Sequence, residues 1–452
     1  MTPDLFQLDV SGAMEAPSSG GDGTGTAGGL VSAQLDALVG LGRRVHDDLL
    51  LARARGHVGF GDLYMLGREA MRAREAAETL APRFDNVAIL AHGAEADVAA
   101  SLLGALAHPF HNLLPRAGRA GRPRVFLVDS TDPDCLGAFL DAFAVEQSLL
   151  VCMSKRGSDL AALVQFGVCH DLLKKRLGPG FQDHLVVVTD ARGGTLREEA
   201  LREGLLAFEV PANVPARFSV LTPVGLLPGA MAGVDVRGVL AGAHAAAERT
   251  AAEDLRVNQA YLLASVLHLL AAERGRTFQL FVPCAASLVP LAVQLSRLFA
   301  ESLDRPPRAD AAGVRITPSC LLLPRDEALL ARLVSSGRPD VVVVFLELAK
   351  SSRDRPLPKD APGLLGLGGR PMGEIVHEQT AVARRFLSEQ RVPSVTLRLP
   401  STSPNVLGAV HMASMLSAAF AAGLGGSPDA AATDADRLRR LTDDHFGRKG
   451  MS

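Results

Sequence analysis

The middle of the chain reads Asn213-Val-Pro-Ala-Arg-Phe-Ser-Val-Leu-Thr-Pro-Val-Gly-Leu-Leu-Pro228. Proline breaks an extended loop in the first part of this stretch, and small residues mark the start of a helix after it. This arrangement places a single cation, Arg217, between the extended loop and the helix. Short apolar runs lie on both sides of the stretch, and they determine the fold class that we predict.

The apolar runs are short and continuous, and each of the four upstream runs is followed by a segment of helical length. Continuous runs indicate strands that are buried on both faces, because a strand with one exposed face alternates apolar and polar residues. Alternation of such strands with helices indicates parallel sheets with right-handed crossovers. We therefore predict an α/β fold of two units, each with a parallel sheet flanked by helices. The predicted strands are Val87–Ala91, Val125–Val128, Leu149–Met153, Leu185–Thr189, Thr277–Val282, Val341–Phe345 and Ser394–Arg398.

The composition and periodicity divide the chain into five segments. Residues 1–29 are rich in Gly, Ser and Thr, and we expect a flexible tail because such a segment buries too little apolar surface to become ordered. Residues 238–273 have helical periodicity and predict one long helical stretch. The predicted division is a tail at 1–29, a helical segment at 30–80, α/β units at 81–250 and 251–425, and a C-terminal tail or helix at 426–452.

The overall composition excludes several classes of function. A formal net charge of −2 over 452 residues leaves no basic footprint for nucleic acid or a membrane surface. We find no apolar run long enough to span a membrane and no secretory signal, and we expect a cytoplasmic protein. The five cysteines form no CxxC pair, which is typical of reduced thiols. Pro109 separates His108 from His111, so we expect no metal site, and no motif indicates a cofactor.

Six stretches resemble, in order, motifs of the glucose-6-phosphate isomerase family. The central stretch has Arg217-Phe-Ser219 before Val224-Gly-Leu-Leu-Pro228, as in the family signature, although Pro215 and Ala216 stand where the family has two glycines. The common order of these likenesses over about residues 80–440 is more specific than any one of them. The motif Phe299-Ala-Glu-Ser302 is most similar to the branch of the family that is fused to transaldolase. The other likenesses are Phe84–Glu95, Val128–Asp134, Met153–Asp159, Ala300–Arg305 and Ile375–Thr380.

The resemblance implies two sugar-isomerase-type (SIS) units and the interconversion of glucose 6-phosphate and fructose 6-phosphate. Aldose–ketose isomerisation needs a base that moves a proton between adjacent carbons, a cation beside the developing enediolate and a group that opens the sugar ring. By resemblance, Glu301 is the base, Arg217 is the cation and His377 acts at the ring oxygen. In the family this histidine comes from the neighbouring subunit, so the resemblance also implies a homodimer with a sugar phosphate as its ligand.

Each of these three residues also has a simpler interpretation. Glu301 could form a solvated ion pair with Arg305 one helical turn away. Arg217 could be an ordinary loop cation, and His377 could be a structural histidine on a helix beside Glu378. Their joint alignment with one set of family motifs favours a shared cleft.

The phosphate loops differ from the family pattern. Sugar-phosphate sites use glycines and hydroxyl groups at helix N-termini, where backbone N–H groups favour an anion. Glu95 and Asp159 stand where the family has hydroxyl side chains, and a carboxylate repels the phosphate. We therefore expect weakened phosphate binding, and the alternative is that both carboxylates now stabilise the first turns of helices. The residues that the resemblance retains for the phosphate are Gly93, Ser154, Lys155 and Ser158.

The C-terminal segment departs from the family pattern as well. Ala431 and Leu438 stand where the family has a glutamine and a catalytic-site lysine, and Arg437, Arg439 or Lys449 could replace that lysine only after a shift of register. We therefore carry two hypotheses. The first is a glucose-6-phosphate isomerase-like enzyme with altered substrate recognition, and the second is a non-catalytic relative that binds a sugar phosphate or another protein.

Overall fold

The structure is a computed structural model of the chain, and it describes residues 5–15, 29–303, 314–360, 362–364, 366–426 and 434–448. The chain divides into two compact units. The first unit comprises Leu51–Ala241 with Ala432–Ser452, and the second unit comprises Met1–Leu50 with Gly242–Ala431. The predicted division was contiguous along the chain, whereas here residues 30–50 belong to the second unit and the C-terminal residues belong to the first.

Strands and helices alternate through most of the chain. The strands are β1 (Gln7–Asp9), β2 (Asn86–Ala91), β3 (Arg124–Val128), β4 (Ser148–Ser154), β5 (Leu185–Asp190), β6 (Leu206–Val210), β7 (Phe278–Pro283), β8 (Thr317–Cys320), β9 (Val341–Leu348) and β10 (Ser394–Leu399). The helices are α1 (Ser32–Ala54), α2 (Leu63–Leu80), α3 (Gly93–Leu106), α4 (Pro133–Ala142), α5 (Leu160–Leu177), α6 (Thr195–Glu203), α7 (Pro223–Met231), α8 (Val236–Arg249), α9 (Gln259–Arg274), α10 (Val289–Leu303), α11 (Glu327–Ser335), α12 (Met372–Glu389), α13 (Pro404–Leu424) and α14 (Asp434–His445).

The first unit contains a parallel sheet with the strand order β3-β2-β4-β5-β6. Every residue of the central strand β4 is buried, as the continuous apolar run predicted. The chain leaves β2 towards β3 on one side and reaches β4 on the other, so the order reverses between β2 and β4. Ligands of open α/β sheets bind outside the carboxyl ends of the strands at such a point of reversal.

The second unit contains a sheet with the strand order β1-β10-β9-β7-β8. The strands β10, β9, β7 and β8 are parallel, and β1 pairs antiparallel with β10 at the edge of the sheet, with Leu8 opposite Leu397. The expectation of a flexible tail at 1–29 is therefore wrong for residues 5–15, because backbone pairing with β10 orders a segment whose composition gave no strand signal. Residues 16–28 of that predicted tail lie outside the described residues.

The predicted fold class is confirmed, with parallel sheets flanked by helices, and all seven predicted strands are present. The sequence missed β1, β6 and β8, which are short or partly exposed and therefore lack a continuous apolar run. The expectation of one long helix at 238–273 is wrong, because α8 ends at Arg249 and α9 begins at Gln259.

A fully buried asparagine makes this break between α8 and α9. The Asn258 side-chain oxygen accepts hydrogen bonds from the backbone N–H groups of Ala260 and Tyr261, at 3.1 and 3.2 Å. Its amide nitrogen donates to the carbonyl oxygens of Thr250 and Ala252, both at 2.9 Å. One side chain therefore caps the start of α9 and satisfies carbonyls at the end of α8.

The helix α13 is long and apolar enough to span a membrane by length and composition, with a mean hydropathy of 1.5. No segment of this length and composition was expected from the sequence, and α13 shows that this expectation is wrong. Within the described structure, 83% of its apolar window is buried, which is typical of the core helix of a globular unit. It packs with α9 in the core of the second unit, where Phe420 stacks on Tyr261 with ring centroids 3.8 Å apart.

Candidate active site

Arg217 lies in the first unit on a short 3-10 helix, Ala216–Leu221, directly before α7. The Thr222 hydroxyl accepts a hydrogen bond from the Val224 N–H at 3.2 Å and caps α7. Gly225 is required here, because a Cβ at this position would lie 2.3 Å from the Val220 carbonyl oxygen. This tight turn holds Arg217 with an exposed fraction of 9%, and its guanidinium forms an ion pair with Asp97 on α3.

The loop that follows β4 is closed by its own hydroxyl and carboxylate groups. The Ser154 hydroxyl donates to Asp159 Oδ2 at 2.7 Å and accepts from the Gly157 N–H at 3.0 Å. Gly157 has φ of +66°, and a Cβ there would lie 2.6 Å from the Thr189 hydroxyl, so the turn needs glycine. The predicted phosphate loop is thus a compact turn whose Ser154 side chain is already hydrogen-bonded.

Glu95 fills the space beside this loop. It lies in the first turn of α3, which begins at Gly93 with φ of +54°. The Glu95 side chain is 8% exposed, and its Oε1 accepts a hydrogen bond from the Lys155 backbone N–H at 2.7 Å. Burial raises the pKa of Glu95 to about 7, and the nearby charge of Asp159 acts in the same direction. The hydrogen bond from the Lys155 N–H and the charge of Arg217 lower this pKa but do not outweigh the burial.

The Lys155 side chain has a carboxylate partner too. Its Nζ lies 2.5 Å from Asp190 Oδ2 at the end of β5, and both side chains are largely buried. Burial alone would raise the pKa of Asp190, but hydrogen bonds from Lys155 and from the Arg192 N–H hold it below its ordinary value. This ion pair fixes the lysine against the sheet.

The C-terminal segment brings an arginine to the same loop. Arg448 Nη2 donates to the Ser158 carbonyl oxygen at 2.6 Å, and Arg448 Nη1 lies 3.2 Å from Asp443 Oδ1. Leu438, at the position of the family lysine, is 66% exposed on α14, and Arg437 and Arg439 are exposed on the same helix. Ala431 and Lys449 lie outside the described residues. The contact to the loop therefore comes from a residue that the sequence analysis did not single out.

His377 lies in the second unit on α12, at the carboxyl end of β9. Its Nε2 lies 2.7 Å from the Leu348 carbonyl oxygen. Because a carbonyl oxygen can only accept, Nε2 is the donor of this hydrogen bond. The neighbouring Glu378 pairs with Arg370, and the bond from His377 to the Leu348 carbonyl is the kind of contact that the interpretation as a structural histidine implies.

Glu301 lies in the last turn of α10 in the second unit, and its side chain is exposed. The next two residues, Ser302 and Leu303, are buried and hold this end of the helix against the core. The simpler interpretation of Glu301 involved Arg305, which lies outside the described residues together with Asp304. The predicted cleft joins Glu301 and His377 of the second unit to Arg217 of the first, and it stays a prediction.

The described residues contain no group of three or more His, Cys, Asp or Glu side chains that could hold a metal ion. In the first unit, Arg217, Ser154, Lys155, Ser158 and Glu95 lie on or beside the segments that follow the carboxyl ends of parallel strands.

Comparison with known proteins gives long matches to isomerases. The chain is 34% identical over 350 residues to a glucose-6-phosphate isomerase of Rubrobacter xylanophilus, covering 76% of this chain and 79% of the relative. It is 31% identical over 362 residues to a glucose-6-phosphate isomerase of Carboxydothermus hydrogenoformans, covering 79% and 78%. The chain belongs to the glucose-6-phosphate isomerase family.

Solved structures agree with this family assignment at the level of the fold. A hypothetical protein from Thermus thermophilus is similar with a TM-score of 0.82 and 27% identity, over 92% of this chain and 96% of that one. A glucose-6-phosphate isomerase from Chlamydia trachomatis has a TM-score of 0.71 at 18% identity, over 84% and 73% of the two chains. No protein-family model matches the chain.

Three residues that contact the candidate site were not predicted from the sequence: Asp97, Asp190 and Arg448. Asp97 lies two residues beyond the stretch Phe84–Glu95 that resembles a family motif, and Asp190 directly follows a predicted strand. A search for carboxylates at the carboxyl ends of predicted strands would have found Asp190. No local signal identifies Arg448, because only the folded chain brings it to Ser158.

Proposed function

We propose that this chain is an aldose–ketose isomerase that interconverts a six-carbon aldose and its ketose through an enediolate, as in the reaction between glucose 6-phosphate and fructose 6-phosphate. The observation that carries the proposal is the similarity, at 31% and 34% identity over about three quarters of both chains, to relatives named glucose-6-phosphate isomerase. The residue types that the chemistry needs are retained in Glu301, Arg217 and His377.

Each retained residue has a distinct role in this proposal. Glu301 takes the proton from C2 of the aldose and returns it to C1, which converts the enediolate into the ketose. The guanidinium of Arg217 stabilises the negative charge that develops on the enediolate oxygen. His377 exchanges a proton with the ring oxygen through Nδ1, because its Nε2–H is held by the Leu348 carbonyl.

The pairing of Arg217 with Asp97 bears on the strength of this catalysis. Both side chains are nearly buried, with exposed fractions of 10% and 13%, so the carboxylate is poorly screened by solvent. The pair fixes the orientation of the guanidinium and offsets part of its charge. We expect weaker stabilisation of the enediolate than an arginine without a carboxylate partner would give.

Three finer features complete the proposal. We propose a homodimer in which His377 acts in the site of the partner subunit, a cytoplasmic location, and a position nearest the branch of the family that is fused to transaldolase. The motif Phe299-Ala-Glu-Ser302 and the resemblance of Ile375–Thr380 to a family motif support the branch and the role of the histidine.

A non-catalytic sugar-binding role is the second candidate. It is favoured by Glu95 and Asp159, which stand at hydroxyl positions of the family, and by Leu438, which stands at the position of its lysine. A non-catalytic protein needs no base, so the two candidates differ in what Glu301 does.

The test is an isomerase assay on the purified full-length protein, with glucose 6-phosphate, fructose 6-phosphate and the unphosphorylated hexoses as substrates. We expect Glu301→Gln to abolish the activity, because the amide cannot accept the transferred proton. Glu327→Gln, which alters an exposed carboxylate on α11 of the same unit, is the matched control. An unchanged rate in Glu301→Gln, or no activity of the natural protein on any of these sugars, would contradict the proposal.

A further inference from the structure

Four donors of the first unit are already bound by carboxylates of the chain itself. The Lys155 N–H is bound by Glu95, and the Ser154 hydroxyl is bound by Asp159. The remaining pairs are Lys155 Nζ with Asp190 and Arg217 with Asp97. Each of the four donors therefore has a carboxylate partner within the chain, and the four carboxylates belong to Glu95, Asp97, Asp159 and Asp190.

The tightest of these contacts is the one between Glu95 and the Lys155 N–H. At 2.7 Å, the carboxylate oxygen occupies the place where a phosphate oxygen would accept the same hydrogen bond. The Glu95 side chain is 8% exposed and accepts from the Lys155 N–H, so a ligand that displaced it would have to replace this hydrogen bond. A phosphate at this loop would need both the N–H and the space that Glu95 fills.

Electrostatic repulsion adds to this steric argument. A sugar phosphate would bring about two negative charges next to the Asp159 carboxylate, and it would further disfavour the ionised form of Glu95, whose pKa burial already raises to about 7. Two of the cations at the loop already have partners, since Lys155 is paired with Asp190, and Arg448 is paired with Asp443 and donates to the Ser158 carbonyl. These carboxylates offset part of the positive charge that a dianion would need, and Arg156 is the exposed cation of the same loop.

We propose that the sugar end that reaches this loop is an uncharged polyol, so that the substrates of the isomerase site are unphosphorylated hexoses rather than hexose phosphates. This inference rests on the proposed isomerase function and assigns its substrate class. Hydroxyl groups fit the loop because they can donate to the half-buried Asp159 carboxylate and accept from the Ser158 hydroxyl. Glu95 and Asp159 are the residues that determine this specificity.

The first experiment compares matched substrate pairs on the purified full-length protein. Rates are measured by NMR for glucose against glucose 6-phosphate and for fructose against fructose 6-phosphate. Repulsion of the phosphate by a carboxylate at the loop costs more than the about 1.4 kcal/mol that corresponds to tenfold, so we expect kcat/KM to favour the unphosphorylated sugar by at least about tenfold. A preference of the natural protein for the phosphorylated sugar would overturn the inference while leaving the isomerase function intact.

The second experiment restores hydroxyl groups at the loop. In the double variant Glu95→Ser, Asp159→Thr, we expect inorganic phosphate to bind about 10- to 100-fold more tightly than in the natural protein. We also expect the substrate preference to move towards the phosphorylated sugar. Glu146→Ser, which alters an exposed carboxylate of the same unit, is the control and should behave as the natural protein does. Equal phosphate affinity of the natural protein and a folded double variant would overturn the inference.

The two experiments separate this inference from the function on which it rests. If no sugar is isomerised, the proposed function fails, and calorimetry with inorganic phosphate still decides the role of the loop. Tight phosphate binding by the natural protein then overturns the inference, and binding that appears with the substitutions supports it. If the double variant does not fold by circular dichroism, Glu95→Gln replaces it, because glutamine keeps the acceptor for Lys155 and removes the charge.

Discussion

Glu95 makes the stability of the protein depend on pH in a way that can be calculated from its environment. Its pKa in the folded chain is about 7, against an ordinary value of 4.5, mainly because the side chain is buried. Below pH 4.5 the carboxyl is neutral in both the folded and the unfolded chain. Between pH 4.5 and 7 the folded chain binds more protons than the unfolded chain, so the free energy of unfolding decreases as pH rises.

The size of this effect follows from the two pKa values. One pKa unit corresponds to about 1.4 kcal/mol, so the difference between 4.5 and about 7 corresponds to roughly 3 kcal/mol. The stabilising contribution is fully present below pH 4.5 and is lost by the time the pH exceeds 7. Glu95→Gln removes the titration but keeps an oxygen that can accept from the Lys155 N–H.

The assay is urea unfolding of the natural protein and of Glu95→Gln at intervals from pH 4.5 to 8. All other titrating groups are shared, so their effects cancel when the two proteins are compared. We expect the natural protein to lose roughly 3 kcal/mol relative to the variant over this range. Glu146→Gln, with its exposed carboxylate, should follow the natural protein. Parallel curves for the natural protein and Glu95→Gln would refute the buried, proton-binding state of Glu95.

Three further predictions concern other parts of the chain. Asp97→Ala removes the carboxylate partner of the nearly buried Arg217, and we expect the free energy of unfolding in urea to fall by about 3 kcal/mol. The double variant that combines Asp97→Ala with Arg217→Met removes both charges, so its free energy of unfolding should fall by less. Asn258→Ala removes four hydrogen bonds at a fully buried position between α8 and α9, and we expect a loss of at least about 2 kcal/mol. Cys135 is the exposed cysteine of the five, so thiol titration of the native protein should show one fast-reacting group, and Cys135→Ser should remove it.

The sequence predicted the sheets well because their strands are buried on both faces. A run such as Leu149–Met153 is a local signal that does not depend on the partner strand. The strands that were missed carry no such signal. Gln7–Asp9 alternates polar and apolar residues, and it becomes a strand because its backbone pairs with β10, far away in the chain. The break between α8 and α9 was missed for a different reason, since Asn258 is a local helix-cap signal that the apolar periodicity of residues 238–273 obscured.

The candidate site could be predicted as a set of residue types but not as a set of contacts. The sequence identified Arg217, Ser154 and Lys155, and it identified the carboxylates Glu95 and Asp159 as departures from the family. It could not show which carboxylate binds which donor, because the partners are separated by up to 120 positions, as in the pair of Asp97 with Arg217. Contacts of that kind depend on how α3 packs against the loops that follow other strands.

The helix α3 is the element that connects these contacts. Glu95 and Asp97 are two positions apart, so their side chains point to different sides of the helix. One side meets the loop after β4 through Lys155, and the other meets the 3-10 helix that carries Arg217. Because both carboxylates leave from the first helical turns, a movement of the N-terminal end of α3 would alter both contacts together. The carboxyl of Glu95 also interacts with the charge of Arg217, so substitutions at Glu95 are expected to affect the enediolate cation as well as the binding of the sugar.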